Sequence, residues 1–262
     1  MMPLDSRRLQ QLCTDCKHVG TAIEVLEETP STNDLAKWHL YSTTDSGKVF
    51  FAEHQTAGRG QYGRVWSAPK YSSLLFSVAL RIPIEFQNPA FLIAWSAVSI
   101  CETLRQCYSI ESQIKWPNDV LISGRKTAGI LVEKPGSGVV VGIGVNVSIS
   151  ESQWPTIMAY PATSIASELA GPVDRTELAG NLLCKLDERL EQCLHVGAEK
   201  LFEDWQGYFR HRAGDHVLAT TRTGKVAGEL VRVDPLMGAV IRTAGDYAER
   251  IDSQELISLT DG

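Results

Sequence analysis

The chain has 262 residues, more than the ~100–200 of a usual single domain, so a large domain with a smaller companion is expected. Its 44% hydrophobic and 21% charged residues are those of a soluble globular protein, and 25 basic against 31 acidic side chains give a net charge of −6, which excludes a global field drawing in nucleic acid. Six cysteines are too few for a disulfide scaffold, no apolar run reaches the ~20 residues of a membrane span, and no apolar stretch follows the charged N-terminus as in a signal peptide. A cytoplasmic protein with reduced cysteines is the expectation.

Residues 6–19 read as one short helix with Leu9 and Leu12 on a shared face. Within it, Cys13-Thr-Asp-Cys16 has metal-like spacing, but no second pair or histidine pair follows at zinc-finger distance, and Cys101, Cys107, Cys184 and Cys193 fall in helical patterns as small apolar groups. A short strand from Ile23 breaks at Pro30. Ser31-Thr32-Asn33 then opens a helix through Tyr41, with Leu35, Trp38 and Tyr41 on one side. The hydroxyls are N-cap candidates, and three consecutive hydrogen-bonding side chains also suit a polar ligand.

The strand Val49–Ala52 feeds a loop, Glu53 to Trp66, in which Gly58, Gly60 and Gly63 interleave with Arg59 and Arg64. Glycines allow tight folding and close approach, and arginines suit carboxylate or phosphate, so the loop reads as an anion cradle. Gly58-x-Gly60-x-x-Gly63 matches the dinucleotide fingerprint literally, but that motif must open a helix. Here Pro69 and an alternating strand, Leu74 to Arg81, follow instead. A P-loop is excluded because no Gly-Lys-Ser/Thr ends the run.

Asn88-Pro89 is a helix opening, and Phe91, Ala94, Trp95, Val98, Cys101 and Leu104 recur at helical spacing to bury one face. Beyond Lys115-Trp-Pro-Asn-Asp119, where Pro117 indicates an edge or bulge, Val120–Ile122 and Thr127–Val132 form a hairpin about Ser-Gly-Arg, with Lys126 near the turn. Gly138 to Val147 is a strand carrying Val139, Val141, Ile143, Val145 and Val147 on one face. Its other face holds Gly142, Gly144 and Asn146, a floor without side chains that ends in an amide able to pair with an adenine edge. Asp174 and Glu177 open a helix to about His195, and a second helix runs from Ala198 to about Arg210. Short strands follow (His216–Thr221, Val226–Val233, Ala239–Arg242, Tyr247–Ile251, Leu256–Leu259), as in a small β-barrel. The expected domains are therefore 1–212 and 213–262.

Pro30-Ser-Thr-Asn, Gln55-Thr-Ala-Gly-Arg-Gly-x-x-Gly-Arg-x-Trp66, Lys115-Trp-Pro-Asn-Asp119, Arg125-Lys-x-Ala-Gly-Ile-Leu-Val-Glu133 and Gly142-Ile-Gly-x-Asn146 together resemble, in order, the motifs of the biotin protein ligases. Each is weak alone, and five in order are specific. The resemblance implies an α/β (α+β) fold: a mixed-sheet catalytic domain shared with lipoate ligases and related to class II aminoacyl-tRNA synthetases, followed by an SH3-like barrel. It corresponds to a form lacking the N-terminal DNA-binding domain, since 30 residues before Ser31 cannot hold one. It implies an enzyme that uses ATP and Mg²⁺ to convert biotin to biotinyl-5′-AMP, then acylates a lysine of a biotin carboxyl carrier domain. No DNA or membrane partner is implied, and members of the family occur as monomers and as homodimers.

By the same resemblance, Ser31, Thr32, Asn33, Gln55, Gly58, Gly60, Gln61, Gly142 and Gly144 contact biotin. Arg59 and Lys126 bridge carboxylate and phosphate, and Arg64, Trp66 and Asn146 meet the nucleotide. Lys115 and Asp119 serve phosphate, metal or the acceptor amine, with metal ligands unassigned. Many members carry a basic residue where this chain has Gln61. A lipoate or octanoate ligase, or a non-catalytic biotin- or nucleotide-binding regulator, are the competing readings.

Overall fold

The computed structural model describes residues 2–136, 138–154, 160–245 and 247–262. In chain order, α1 (Ser6–Leu12), β1 (Ala22–Leu26), α2 (Thr32–Ser42), β2 (Lys48–Ala52) and β3 (Ser73–Leu80) precede the long helix α3 (Pro89–Tyr108). Then come β4 (Gln113–Lys115), β5 (Asp119–Ile122), β6 (Arg125–Glu133) and β7 (Val139–Asn146), followed by α4 (Ile165–Leu169), α5 (Arg175–Val196) and α6 (Glu199–Tyr208). The chain ends in β8 (His216–Thr221), β9 (Lys225–Asp234), β10 (Gly238–Arg242), β11 (Ala248–Ile251) and β12 (Leu256–Asp261).

Seven strands form one mixed sheet in the order β1-β2-β3-β7-β6-β5-β4. Only β1 and β2 run parallel, joined through α2; the remaining pairs are antiparallel. The sheet's two faces differ sharply. Leu74, Phe76, Val78 and Leu80 of β3, Val139 to Val145 at alternate positions of β7, and Ala128 and Ile130 of β6 join α3 and α5 in the main core. Each Val, Leu, Ile or Phe side chain among them contributes about 1.5–3 kcal/mol by leaving water. The opposite face presents Ser73 and Ser77 of β3, Gly142, Gly144 and Asn146 of β7, and Gly129 and Glu133 of β6. One face builds the core, and the other builds the site.

Helix α3 opens as its sequence predicts, with the Asn88 side chain accepting from Ala90 N at 2.9 Å and Pro89 at the first turn. It is buried more completely than its one-face periodicity implies, since Ala94 to Leu104 are all buried between the sheet and α5. Its hydroxyls are satisfied within the helix: Ser96, Ser99 and Thr103 donate to Leu92 O, Trp95 O and Ser99 O at 2.7–2.8 Å.

Helix α2 forms where the sequence places it, but the side carrying Trp38 and Tyr41 is not the one it buries. Trp38 and Tyr41 are 72% and 68% exposed, and the buried face is Thr32, Asn33, Ala36 and Leu40 instead. The helix lies on the glycine-bearing face of the sheet: Thr32 and Asn33 at its N-terminus meet Ser77, Ala36 and Leu40 pack with Phe50, Ala79 and Val140, and Trp38 and Tyr41 face water. Ser31 is the N-cap residue, but its hydroxyl makes no capping hydrogen bond. The first helix also stops at Leu12, short of the expected residue 19.

Strands β8 to β12 form a separate antiparallel sheet, β11-β10-β9-β8-β12. The short strands expected to form a small β-barrel are present as a five-stranded antiparallel sheet, and no pairing closes it between the outermost two, β11 and β12, among the described residues. Its apolar residues, among them Val217, Ala219, Ile241 and Leu259, belong to the same contiguous cluster as the main core. The junction is Trp116, which stands edge-on to Trp205 of α6 (centroids 6.3 Å, 86°) and donates from Nε1 to Leu256 O at 2.8 Å. Among the described residues, no helix is long and apolar enough to cross a membrane.

Candidate functional site

The site is built on the glycine-bearing face, where β7 and β6 run side by side with Gly144 opposite Gly129. Side chains from two other elements rest where glycine Cβ atoms would be. A Cβ on Gly142 would lie 2.2 Å from Asn33 Oδ1, and one on Gly144 would lie 2.5 Å from Trp66 Cε2. The glycines are therefore required by close approach. The floor expected from β7 is present, widened by Gly129, and covered by the start of α2 at one end and the Trp66 indole at the other.

At the α2 end, hydrogen bonds link the loop, helix and sheet. Thr32 donates from its N–H and hydroxyl to Gln55 Oε1 at 2.8 and 3.1 Å. Its hydroxyl lies 2.7 Å from that of Ser77, which donates to Asn33 Oδ1 at 2.5 Å. Asn33 Nδ2 donates to Glu133 Oε2 at 2.6 Å, and Lys37 Nζ reaches the other oxygen at 2.5 Å. Burial pushes the Glu133 carboxyl up, but hydrogen bonds from Lys37 and Asn33 outweigh it and hold it below the usual range. Ser31, Thr32 and Asn33 are all buried. This is a preorganised set of donors and acceptors suited to a neutral polar group.

The glycine-rich loop folds back on itself. Trp66 N donates to Gly58 O at 3.0 Å and Gly60 N to Arg64 O at 2.7 Å, leaving Gln61–Gly63 as a short 3₁₀ turn at the tip. Its base is tied beside Thr29 and Pro30, whose carbonyls accept from Thr56 N and Ala57 N. Arg59 makes a two-pronged bond to Asp34 (2.8 and 2.6 Å) and lies 3.5 Å from Glu133. The guanidinium hydrogen bond holds the Asp34 carboxyl below the carboxylate range. Arg64 is exposed and makes no side-chain hydrogen bond or ion pair among the described residues.

At the other end of the floor sits Lys126. Strict alternation along β6 would put it on the Ala128/Ile130 face, inside the core. The register between β5 and β6 shifts between Val120 and Leu121, so that Lys126 pairs with Leu121 and Thr127 is the extra residue. This bulge turns Lys126 onto the face of Asp119 and Gly129. Its Nζ lies 2.5 Å from Asp119 Oδ1 and 5.4 Å from the centre of the Trp66 ring. Lys115 lies with its Nζ 3.4 Å from the Tyr160 ring centre, and Arg210 donates to the Tyr160 hydroxyl at 3.0 Å. Burial pushes the Lys115 ammonium below the ordinary lysine range; Asp119 opposes this, while Lys126, Arg210 and Arg64 reinforce it. Cations crowded this closely in a half-buried place are suited to an incoming polyanion.

Asn146 donates from Nδ2 to Lys126 O at 3.3 Å. Near it, three buried polar atoms lack partners among the described residues: Trp66 Nε1, Ser73 Oγ and Thr127 Oγ1. A cavity of about 690 Å³ lies off the floor, between the loop tip (Gln61, Tyr62), the start of α3, Trp116-Pro117 and the turns at Leu236 and Ser253.

The structure thus gathers Thr32, Asn33, Gln55, Arg59, Gly142 and Glu133 at one end, and Trp66, Lys115, Asp119, Lys126, Gly144 and Asn146 at the other. Sequence reasoning missed Lys37, Ser77, Gly129, Tyr160 and Arg210, and gave Glu133 no role. A serine inside the otherwise apolar Leu74–Leu80 run was the available signal for Ser77.

Residues 25–150 match the Biotin/lipoate A/B protein ligase family. The chain is 30% identical to the bifunctional ligase/repressor BirA of Bacillus subtilis over 239 residues, covering 89% of this chain and 72% of that one. It is 34% identical over 195 residues to the biotin--[acetyl-CoA-carboxylase] ligase of Mycobacterium tuberculosis, covering 72% of each. Among solved structures, the biotin protein ligase of Aquifex aeolicus in complex with biotin and ATP superposes with a TM-score of 0.81 at 29% identity, over 92% of this chain and 100% of that one. On its motifs, its fold and these likenesses, the chain belongs to the biotin/lipoate A/B protein ligase family, among the biotin protein ligases.

Proposed function

We propose that this protein activates biotin with ATP and transfers the biotinyl group to a lysine of a biotin carboxyl carrier domain. In the first step a biotin carboxylate oxygen attacks the α-phosphorus and pyrophosphate leaves. In the second the acceptor amine attacks the acyl carbon and AMP leaves. The observation that carries this reading is the bulge that aims Lys126 across the glycine floor beside Asp119, with Lys115 close enough to feel both. Two anions must meet in the first step, and cations fixed beforehand lower that barrier without reorganising during reaction.

In this reading the Gln55–Thr32–Ser77–Asn33 network holds the polar head of biotin, and Lys126 stands between its carboxylate and the α-phosphate. Trp66 leaves the floor to stack on adenine, and Asn146 meets the base edge. Arg59 contacts the ligand by exchanging Asp34 or Glu133 for it. Intrinsic fluorescence should therefore change when biotin and ATP are added, and a Trp66→Phe variant that changes by the same amount would refute the movement. Mg²⁺ is ordinarily held by one or two carboxylates plus substrate phosphates. Asp119 fits as the protein's carboxylate, and the ion would supply charge neutralisation on the phosphates.

The test is pyrophosphate release by the purified protein. Release with biotin and ATP, and none with lipoate, is expected; no release with biotin would end the enzymatic reading. The tip of the loop provides a second test. Gln61 makes no side-chain hydrogen bond among the described residues and offers a neutral amide, which lacks the charge-assisted contact an arginine makes with phosphate. Gln61→Arg should slow biotinyl-AMP escape to the medium, and equal escape rates for the two proteins would refute the looser grip ascribed to Gln61.

A further inference from the structure

Far from the glycine floor in sequence, three cysteines that had no expected connection meet on the N-terminal side of the fold. Cys13 and Cys16 lie in the turn that follows α1, and Cys184 lies on α5, 168 residues after Cys16. Their three sulfur atoms all lie within 4.8 Å of one another. The Cys-x-x-Cys spacing lacked a second half in the sequence, and α5 supplies part of it.

We propose that Cys13, Cys16 and Cys184 bind a zinc ion that staples the N-terminal segment to α5. Zinc–thiolate bonds of about 2.3 Å in a tetrahedron set sulfur atoms about 3.8 Å apart. Cys16 Sγ and Cys184 Sγ are 3.9 Å apart. A disulfide needs about 2.05 Å between sulfurs, so this pair has the separation of co-ligands rather than of a bond. Three soft thiolates select a thiophilic ion over magnesium or calcium. Cys13 is buried while Cys16 and Cys184 are partly open, so an ion could enter from solvent, and the fourth ligand would be water or a small exogenous group.

The turn is already shaped for the task. Cys16 N donates to Cys13 O at 3.1 Å, closing the Cys-x-x-Cys turn. Just beyond it, the Asp187 carboxylate, one turn along α5 from Cys184, accepts from the backbone N–H groups of Lys17, His18 and Val19 at 2.6–3.1 Å. Asp187 is thus committed to positioning the backbone. Binding converts the three thiols to thiolates and releases their protons to solvent, so affinity rises with pH.

The experiment is zinc retention by the full chain, prepared reduced, loaded with Zn²⁺ alone and desalted. One zinc per chain is expected, released by a mercurial thiol reagent. Cys16→Ser and Cys184→Ser, both at partly exposed positions, should retain none while keeping wild-type circular dichroism. Cys107→Ser, on α3 and outside the cluster, should retain one. Replacement of zinc by cobalt should give a sulfur-to-cobalt charge-transfer band that disappears in Cys184→Ser. The proposal is overturned if the reduced wild type retains no zinc, or if Cys184→Ser retains as much as wild type. It is equally overturned if mass spectrometry of the protein as isolated finds two of these three cysteines in a disulfide.

Discussion

Replacing Lys126 with Ala is expected to lower biotin-dependent pyrophosphate release about 10²–10³-fold, the loss typical when one preorganised charge-stabilising group is removed. The lysine is not a solvated edge charge. Its side chain is 25% exposed, it pairs with an Asp119 that is 13% exposed, and its ammonium lies at the Trp66 end of the glycine floor. Deletion removes the cation from the position where carboxylate and α-phosphate are proposed to meet. It also leaves the Asp119 carboxylate to repel both. The fall should be in kcat more than in the KM for biotin, whose head is assigned to the distant α2 end. Lys126→Met keeps the stem and removes the charge, so it should behave like Lys126→Ala in rate. Near-normal pyrophosphate release by either variant would remove Lys126 from the role proposed.

The same lysine shows where sequence reading succeeds and where it stops. The hairpin that carries it was legible, because Ser123-Gly124 lies between two apolar runs, and both residues take positive φ (49° and 72°) in the structure. Its position near the turn was legible too, but its facing was not. One extra residue in β6 reverses the alternation, and only the pairing with β5 reveals it. Strand β7 gave its glycine face directly, since Gly142, Gly144 and Asn146 alternate with Val141, Ile143 and Val145. What covers that face, Asn33 and Trp66, comes from more than 75 residues away and carries no local signal. Helix α2 misled for a related reason. Its aromatic spacing marks one side, but the helix turns Thr32, Asn33, Ala36 and Leu40 to the sheet and leaves Trp38 and Tyr41 in water. Amphipathicity tells which side is apolar, and the partner surface decides which side is buried.

Arg175→Met is expected to destabilise the fold by about 3–5 kcal/mol, the range for removing one partner of a buried ion pair. No local pattern announced this pair: Arg175 reads as the second residue of a helix start, and Glu53 as the entry to the glycine loop. In the fold they meet at 2.7 Å, with side chains 5% and 1% exposed. Arg175 also donates to Ser73 O at 2.9 Å and Met2 O at 2.8 Å, and Glu53 accepts from Leu4 N at 2.5 Å. One guanidinium thus joins the N-terminal segment, the start of β3, the end of β2 and α5. Without it, Glu53 keeps a buried carboxylate with one amide partner, directly before the loop on which the proposed chemistry depends. With a urea m-value of ~1–3 kcal/mol per molar, the unfolding midpoint should fall by more than about 1 M. Glu53→Gln combined with Arg175→Met should cost less than the two single changes added together, because a neutral amide tolerates the apolar neighbour that the carboxylate does not. A loss below about 1 kcal/mol for Arg175→Met, the scale of an exposed pair, would show that water reaches Glu53 and that the junction is held by packing alone.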